Sequence, residues 1–113
     1  LFAEAMRGAT PGADAAITYG TGPGGLRMDL PAGPLTIGGL YDAFPFDNRV
    51  VTRTMTGAEL RAVVAAHLQR PRWWARTLGL AGLHVRVACG AAGQQAEVTR
   101  DTGAPIRDDE VLK

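Results

Sequence analysis

The chain of 113 residues is 46% hydrophobic and 20% charged, which is typical of one globular domain and excludes a disordered tail, a coiled coil or a collagen-like chain. Twelve basic and eleven acidic residues give a net charge of +1, without the basic excess that nucleic-acid-binding proteins usually show. The single cysteine, Cys89, excludes an internal disulfide framework, and no run of about 20 apolar residues is present to span a bilayer.

The first half of the chain predicts short elements separated by glycine and proline. Apolar residues at helical spacing predict a helix over residues 1–9. An apolar run with β-branched members predicts a strand over 14–19. Residues 20–25, GTGPGG, predict an irregular loop. A short extended piece at 35–37 precedes one or two helical turns over 38–44.

A strand followed directly by a helix is predicted in the middle of the chain. Residues 49–55 alternate in side-chain character and favour a strand. Thr56 and Glu59 have the spacing of a capping box, which predicts a helix that runs to about Gln69. The residues of this helix predicted to face the core are Leu60, Val63, Val64, His67 and Leu68.

The last third of the chain favours antiparallel strands. Residues 83–89 alternate as a half-buried strand, a turn follows at 90–95, and residues 96–100 are the predicted partner strand of a hairpin. A polar turn leads to a final strand at Val111. Helices mixed with such hairpins predict an α+β fold: a single domain with a mixed or antiparallel sheet and packed helices.

The residues needed for catalysis are not apparent. A hydrolytic metal centre needs clustered ligands, yet the only histidines are His67, on a helix, and His84, on a strand. Both are interpreted as packed or surface residues, and Cys89 as a structural residue. The sequence contains no serine, which excludes a serine nucleophile. We therefore expect no catalytic residues and no metal site in this chain by itself.

Three other features have both a functional and a simpler interpretation. The glycine-rich loop can bring backbone N–H groups close to an anion, but no Lys-Ser/Thr pair follows it, and a plain surface loop is the simpler interpretation. Pro45 is expected to direct Phe44 and Phe46 to different sides, giving either two core residues or an aromatic shelf for a base. Trp73 and Trp74 either fill the core or form a partner-binding surface.

Short segments along nearly the whole chain match the motifs of one family, in order. The segments are residues 1–7, 24–30, 33–36, 40–42, 44–48, 56–60, 80–85 and 105–109. Together they resemble the C-terminal domain of the 5′-nucleotidase family.

The resemblance implies a two-domain metallophosphoesterase. Its N-terminal domain would hold two divalent metal ions of the Mn, Mg or Zn class and hydrolyse the substrate, while the C-terminal domain binds the nucleoside part. Residues 1–113 would then be the substrate-binding domain, incomplete at both ends, with the metallophosphoesterase domain outside this chain. The implied partners are a nucleotide or nucleoside substrate and that N-terminal domain, with no nucleic acid and no membrane span. A bacterial periplasmic or extracellular location is favoured.

The resemblance also implies site residues. Arg27 matches the arginine that contacts the anionic part of the substrate, and Phe46 matches the aromatic residue that stacks on the base. Asn48 would be the neighbouring polar residue that faces the ligand, and Gly24 and Gly25 belong to the loop before Arg27.

The predicted function is therefore nucleotide recognition for a 5′-nucleotidase-like hydrolase that releases phosphate in nucleotide catabolism. One alternative is a relative with a non-nucleotide substrate, such as a sulfur compound. Another is a degenerate, non-catalytic interaction module. A nucleoside site predicts that Phe46 is exposed beside Arg27, whereas an interaction module predicts a buried Phe46 and exposure of both Trp73 and Trp74.

Overall fold

The computed structural model describes residues 1–19, 25–70, 78–91 and 93–113. Trp73, Trp74 and most of the glycine-rich loop lie outside these ranges. The helices are α1 (Phe2–Ala9), α2 (Ile37–Ala43) and α3 (Gly57–Leu68), and the strands are β1 (Ala16–Tyr19), β2 (Met55–Thr56), β3 (Leu78–Ala81), β4 (Leu83–Gly90), β5 (Gly93–Arg100) and β6 (Val111–Leu112).

The described strands pair in antiparallel ladders of two. β1 pairs with β3, β2 with β6, and β4 with β5. In the long hairpin, Leu83 lies opposite Arg100 and Val85 opposite Val98, so alternate residues of both strands face the core. Helices packed beside antiparallel ladders confirm the predicted α+β class.

Helix α3 begins at the predicted capping box. The Thr56 hydroxyl accepts a hydrogen bond from the Glu59 backbone N–H at 3.2 Å, and the Glu59 carboxylate accepts one from the Thr56 N–H at 2.7 Å. Two backbone donors that a helix start leaves unpaired are thereby satisfied. The sequence predicts this helix start correctly because Thr56 and Glu59 lie within four residues of each other.

The core lies between one face of α3 and the hairpin. Its buried members are Leu60, Val64, Leu83, Val98, Ile106 and Leu112. The prediction that Val63 faces this core is wrong, because its side chain is 49% exposed. Leu60 and Val64 lie four residues apart on the face toward the hairpin, and Val63 is rotated away from that face.

The predicted strand over 49–55 is also wrong for most of its length. Only Met55 and Thr56 form a strand, because β6 offers only Val111 and Leu112 as partners. The preceding valines, Val50 and Val51, are 55% and 79% exposed. β-Branched residues favour a strand only when a neighbouring strand completes the ladder.

Two element boundaries differ from the predictions for local reasons. Ile37 belongs to α2 and not to an extended piece, because the Thr36 hydroxyl caps this helix by accepting a hydrogen bond from the Gly39 N–H at 3.1 Å. β5 begins at Gly93 and not at residue 96. Gly93 pairs with Gly90 at a φ of +96° that glycine adopts without strain, so the hairpin turn is shorter than predicted.

The residue after β6 is bonded to the segment before β1. The Lys113 carbonyl accepts hydrogen bonds from the N–H groups of Asp14 and Ala15, at 2.8 and 3.3 Å. The Lys113 N–H donates to the Asp14 carboxylate at 3.0 Å, and its Nζ donates to the Pro11 carbonyl at 2.6 Å. We call this set of bonds between residues 11–15 and Lys113 the terminal clasp.

Candidate functional site

Arg27 is held beside the end of α2 by its backbone. Its N–H donates to the Ala43 carbonyl at 2.9 Å. Ala43 is fully buried, and Gly25, two residues before Arg27, is buried as well. The backbone at Arg27 is therefore anchored to the C-terminal end of α2, while the Arg27 side chain itself is exposed.

Pro45 determines where Phe46 lies. The Phe44 N–H still donates to the Leu40 carbonyl at 2.9 Å, as in a helix. A residue before proline is disfavoured in the helical conformation, and Phe44 has left it, with φ −142° and ψ 77°. Helix α2 thus ends at Ala43, and Phe46 lies just beyond this end, near the Arg27 anchor.

The aromatic rings around this point contact one another. Phe44 and Phe46 pack edge to face, with centroids 5.6 Å apart and ring planes at 78°. The expectation that Pro45 sends these rings to different sides is wrong, because an edge-to-face contact is itself attractive. Phe2 of α1 packs on Phe44 from a centroid distance of 5.4 Å. Phe2 is one of the helically spaced apolar residues of 1–9, but the sequence does not indicate this partner.

The Arg27 guanidinium lies over the Phe46 ring. Its Cζ is 5.0 Å from the ring centroid, within the range of a cation–π contact. Phe46 is partly buried and Arg27 is exposed. In the described ranges Arg27 forms no ion pair with a carboxylate, whereas Arg61 and Arg100 do. The structure thus places a guanidinium that has no carboxylate partner in the described ranges beside an aromatic ring. The guanidinium can bind an anionic group of a ligand, and the ring can stack on a planar group of the same ligand.

The other predicted site residues are less closely associated. Asn48 is exposed, two residues beyond Phe46, and its side chain makes no hydrogen bond to the part of the chain that the structure describes. Gly24 lies outside the described residues. Gly25 is buried and stands two positions before Arg27 in the chain. The structure therefore brings Arg27 and Phe46 together, and shows no hydrogen bond from the Asn48 side chain to the described residues.

Comparison with known proteins identifies the family. The profile described as the 5′-nucleotidase, C-terminal domain matches residues 1–111. The chain belongs to this family. Neither a curated protein nor a solved structure gives a match to it. The resemblance inferred from the short motifs is thereby confirmed over almost the whole length of this 5′-nucleotidase C-terminal domain.

Among the described residues of the 5′-nucleotidase C-terminal domain, the ion pairs around Arg100 and Glu110 do not include Arg27. The pKa of Glu110 is lowered, first by a hydrogen bond from the Arg100 guanidinium and then by one from the Arg107 backbone N–H. Arg100 also lies 3.7 Å from the Asp14 carboxylate. These groups join the turn before β6 to the hairpin and to the start of β1, so we assign them a structural role.

Metal-binding residues are not clustered in the described part of this 5′-nucleotidase C-terminal domain. There, no three His, Cys, Asp or Glu side chains are placed to hold a metal ion. His84 is exposed on β4, and His67 is partly buried on α3. No helix within the described ranges has the length and apolar character that crossing a membrane requires.

A groove of about 290 Å³ lies elsewhere, between α1, β1 and residues 50–53. Its lining is mostly apolar and includes Met6, Ile17 and Val51. Arg27 and Phe46 do not line it, and none of its described lining residues is aromatic. The groove therefore lacks an aromatic stacking surface, which the Arg27–Phe46 pair provides.

Proposed function

We propose that this domain recognises nucleotides for a 5′-nucleotidase-like hydrolase that releases their phosphate. The observation that carries the proposal is the position of the Arg27 guanidinium, 5.0 Å from the centroid of the Phe46 ring. Membership of the 5′-nucleotidase C-terminal domain family supports it.

The two side chains suit the two ends of a nucleotide. A base stacked on an aromatic side chain such as Phe46 gains about 1–3 kcal/mol, with little dependence on the identity of the base. The planar guanidinium of Arg27 can bind two phosphate oxygens at once, which an ammonium group does less well. Because the Arg27 backbone is bonded to Ala43, both groups are held at the C-terminal end of α2.

Hydrolysis is assigned to a separate metallophosphoesterase domain with two divalent ions of the Mn, Mg or Zn class. The described residues do not fit such a centre, since they hold no cluster of three suitable ligands. The contribution of this domain is to bind the substrate and orient it toward the reacting group. A location outside the cytoplasm stays a prediction from the resemblance.

The two alternative functions, a sulfur-compound substrate and an interaction module, predict different surroundings for Phe46. A sulfur-compound substrate would use the charge of Arg27 without needing the ring, and an interaction module would bury the ring completely. Phe46 is partly buried and lies beside Arg27. The ring is less open than the nucleoside hypothesis predicted, but its contact with Arg27 favours nucleotides. Trp73 and Trp74, the other half of that comparison, lie outside the described residues.

The test is a titration of the domain with AMP in which binding is monitored by nuclear magnetic resonance. We expect Phe46→Ala to weaken AMP binding about 5- to 150-fold, the factor that corresponds to a lost stacking interaction. Phe46→Tyr keeps the ring and should retain binding. In the complete hydrolase, Phe46→Ala should raise the KM for AMP.

The matched control is Tyr41→Ala, which removes a 64% exposed ring from α2 near the site. It should leave the AMP affinity unchanged. An unchanged affinity in Phe46→Ala would reject the stacking role. The non-nucleotide alternative is correct if two results are obtained together. The domain binds inorganic sulfate or thiosulfate through Arg27, and it binds AMP no more tightly than it binds inorganic phosphate.

A further inference from the structure

We propose that Arg27 discriminates nucleotides from nucleosides by covering the stacking face of Phe46 until a phosphate draws it away. This inference rests on the proposed function, because it assigns the ring to a base. It adds that Arg27 opposes the binding of an uncharged ligand as well as favouring an anionic one.

The geometry places Arg27 where a base would have to lie. Stacked aromatic groups have centroids about 4.5–7 Å apart, and the Arg27 Cζ is already 5.0 Å from the Phe46 centroid. A guanidinium and a base cannot occupy the same side of the ring at that separation. The edge-to-face contact with Phe44, at 5.6 Å, holds the ring in position. A base therefore reaches this face of Phe46 only after the Arg27 side chain has moved.

The Arg27 side chain is free to move, although its backbone is not. The N–H of Arg27 is bonded to the Ala43 carbonyl at 2.9 Å, whereas the side chain is exposed and has no carboxylate partner in the described ranges. Arg100 is different, because Glu110 and Asp14 hold its guanidinium from two sides. Rotation about the side-chain bonds of Arg27 can thus uncover the ring without moving the backbone.

The consequence depends on the charge of the ligand. A phosphate replaces the cation–π contact of Arg27 with a stronger charge-assisted pair, so a nucleotide uncovers Phe46 and is bound by both groups. A nucleoside must displace the same contact, but it has no phosphate to pair with the Arg27 guanidinium. An exposed cation–π contact corresponds to about a two- to five-fold factor in affinity, and nucleoside binding should be weaker by that factor.

The experiment compares adenosine and AMP on the intact chain by nuclear magnetic resonance titration. In Arg27→Ala we expect adenosine to bind about two- to five-fold more tightly, and AMP at least tenfold more weakly, than in the wild type. Arg86→Ala is the matched control, because it removes the same charge from an exposed position on the hairpin. It should leave the ratio of the two affinities unchanged.

A second measurement reports the contact directly. The ring current of Phe46 should shift the side-chain protons of Arg27 upfield in the free domain. This shift should disappear in Phe46→Leu and on addition of AMP. Its absence in the free wild type would overturn the proposal.

The outcomes separate this proposal from the proposed function. If both ligands bind at Phe46 but adenosine binds Arg27→Ala equally or more weakly than the wild type, nucleotide recognition stands and the covering role of Arg27 is overturned. That result would mean that the base stacks on the guanidinium itself or on another surface. If neither AMP nor adenosine binds the wild-type chain, both proposals fail.

Discussion

At the scale of single residues, Glu110 joins parts of the chain that are distant in sequence. Its carboxylate accepts a hydrogen bond from the guanidinium of Arg100, at the end of β5, and one from the Arg107 N–H at 3.1 Å. Both bonds favour the charged carboxylate, and they lower the pKa of Glu110 from its ordinary value of 4.5. Glu110 is therefore a residue through which pH acts on stability.

We predict that Glu110→Gln makes the stability of the domain less sensitive to acid. A carboxyl group whose pKa is lowered by folding stabilises the folded state above its unfolded-state pKa, and this contribution is lost as the pH falls through the folded-state pKa. For Glu110 the loss begins near pH 4.5. The free energy of unfolding in urea, measured by circular dichroism from pH 7 to pH 3, should fall more steeply in the wild type.

The control is Glu97→Gln, which removes the same charge from an exposed pair with Arg86 at 4.0 Å. It should follow the wild-type pH profile. If Glu110→Gln also follows that profile below pH 4.5, the two hydrogen bonds to Glu110 do not account for the acid sensitivity.

The pair at the candidate site shows what a sequence can reveal about single residues. Arg27 and Phe46 are recognisable by the motifs around them, but they lie 19 positions apart. Their contact depends on the bond from Arg27 to Ala43 and on the turn at Pro45, which only the folded chain brings together. Phe2 was missed for the same reason, since an apolar helix face does not specify its partner.

At the scale of elements, two helical glycines in different surroundings allow a matched comparison. A Cβ at Gly57, the first residue of α3, would collide with the Arg107 carbonyl oxygen and lie 2.7 Å from Cγ2 of Ile106. A Cβ at Gly8 in α1 would have no atom within 4 Å. The close approach of the turn before β6 to the start of α3 thus requires glycine at position 57.

We predict opposite effects for the same substitution at these sites. Gly57→Ala should lower the free energy of unfolding by about 1–3 kcal/mol through overpacking. Gly8→Ala should raise it by up to about 1 kcal/mol, because alanine favours a helix. Urea denaturation of both variants measures the difference. An increase in both variants would show that helix propensity, and not the contact at Gly57, decides the outcome.

The elements that were predicted correctly depend on local signals. The capping box of α3 and the helical spacing of α1 operate within a few residues, so both helices are evident from the sequence. The strand expected over 49–55 depended on a partner elsewhere in the chain, and β6 supplies only two residues. Propensity identified a segment able to form a strand, but it could not show how much of that segment is paired.

At the scale of the whole molecule, stability comes from a small core on one side of α3. Leu60 is 3% exposed and packs in this core, whereas Val63, on the same helix, is 49% exposed. Domains of this size are stable by only about 5–15 kcal/mol. Truncation of a single buried side chain in this core should therefore remove a large part of the free energy of unfolding.

We predict that Leu60→Ala lowers the free energy of unfolding by about 2–5 kcal/mol, because it leaves a cavity between α3 and the hairpin. Val63→Ala, three positions away, should change it by no more than about 0.5 kcal/mol. Thermal and urea unfolding of the two variants test the arrangement. Comparable losses would mean that Val63 is covered in solution and that the predicted inward position was correct.

The terminal clasp affects when this domain can fold during its synthesis. Lys113 is bonded to residues that precede it by 99 and 102 positions, at Asp14 and Pro11. A ribosome adds about 5–20 residues per second, so residues 11–15 wait roughly 5 to 20 seconds before the residue that closes the clasp exists. Contacts between such distant positions also slow folding after synthesis. Residues 11–15 therefore stay without their partner in the clasp until all the described helices and strands have been synthesised.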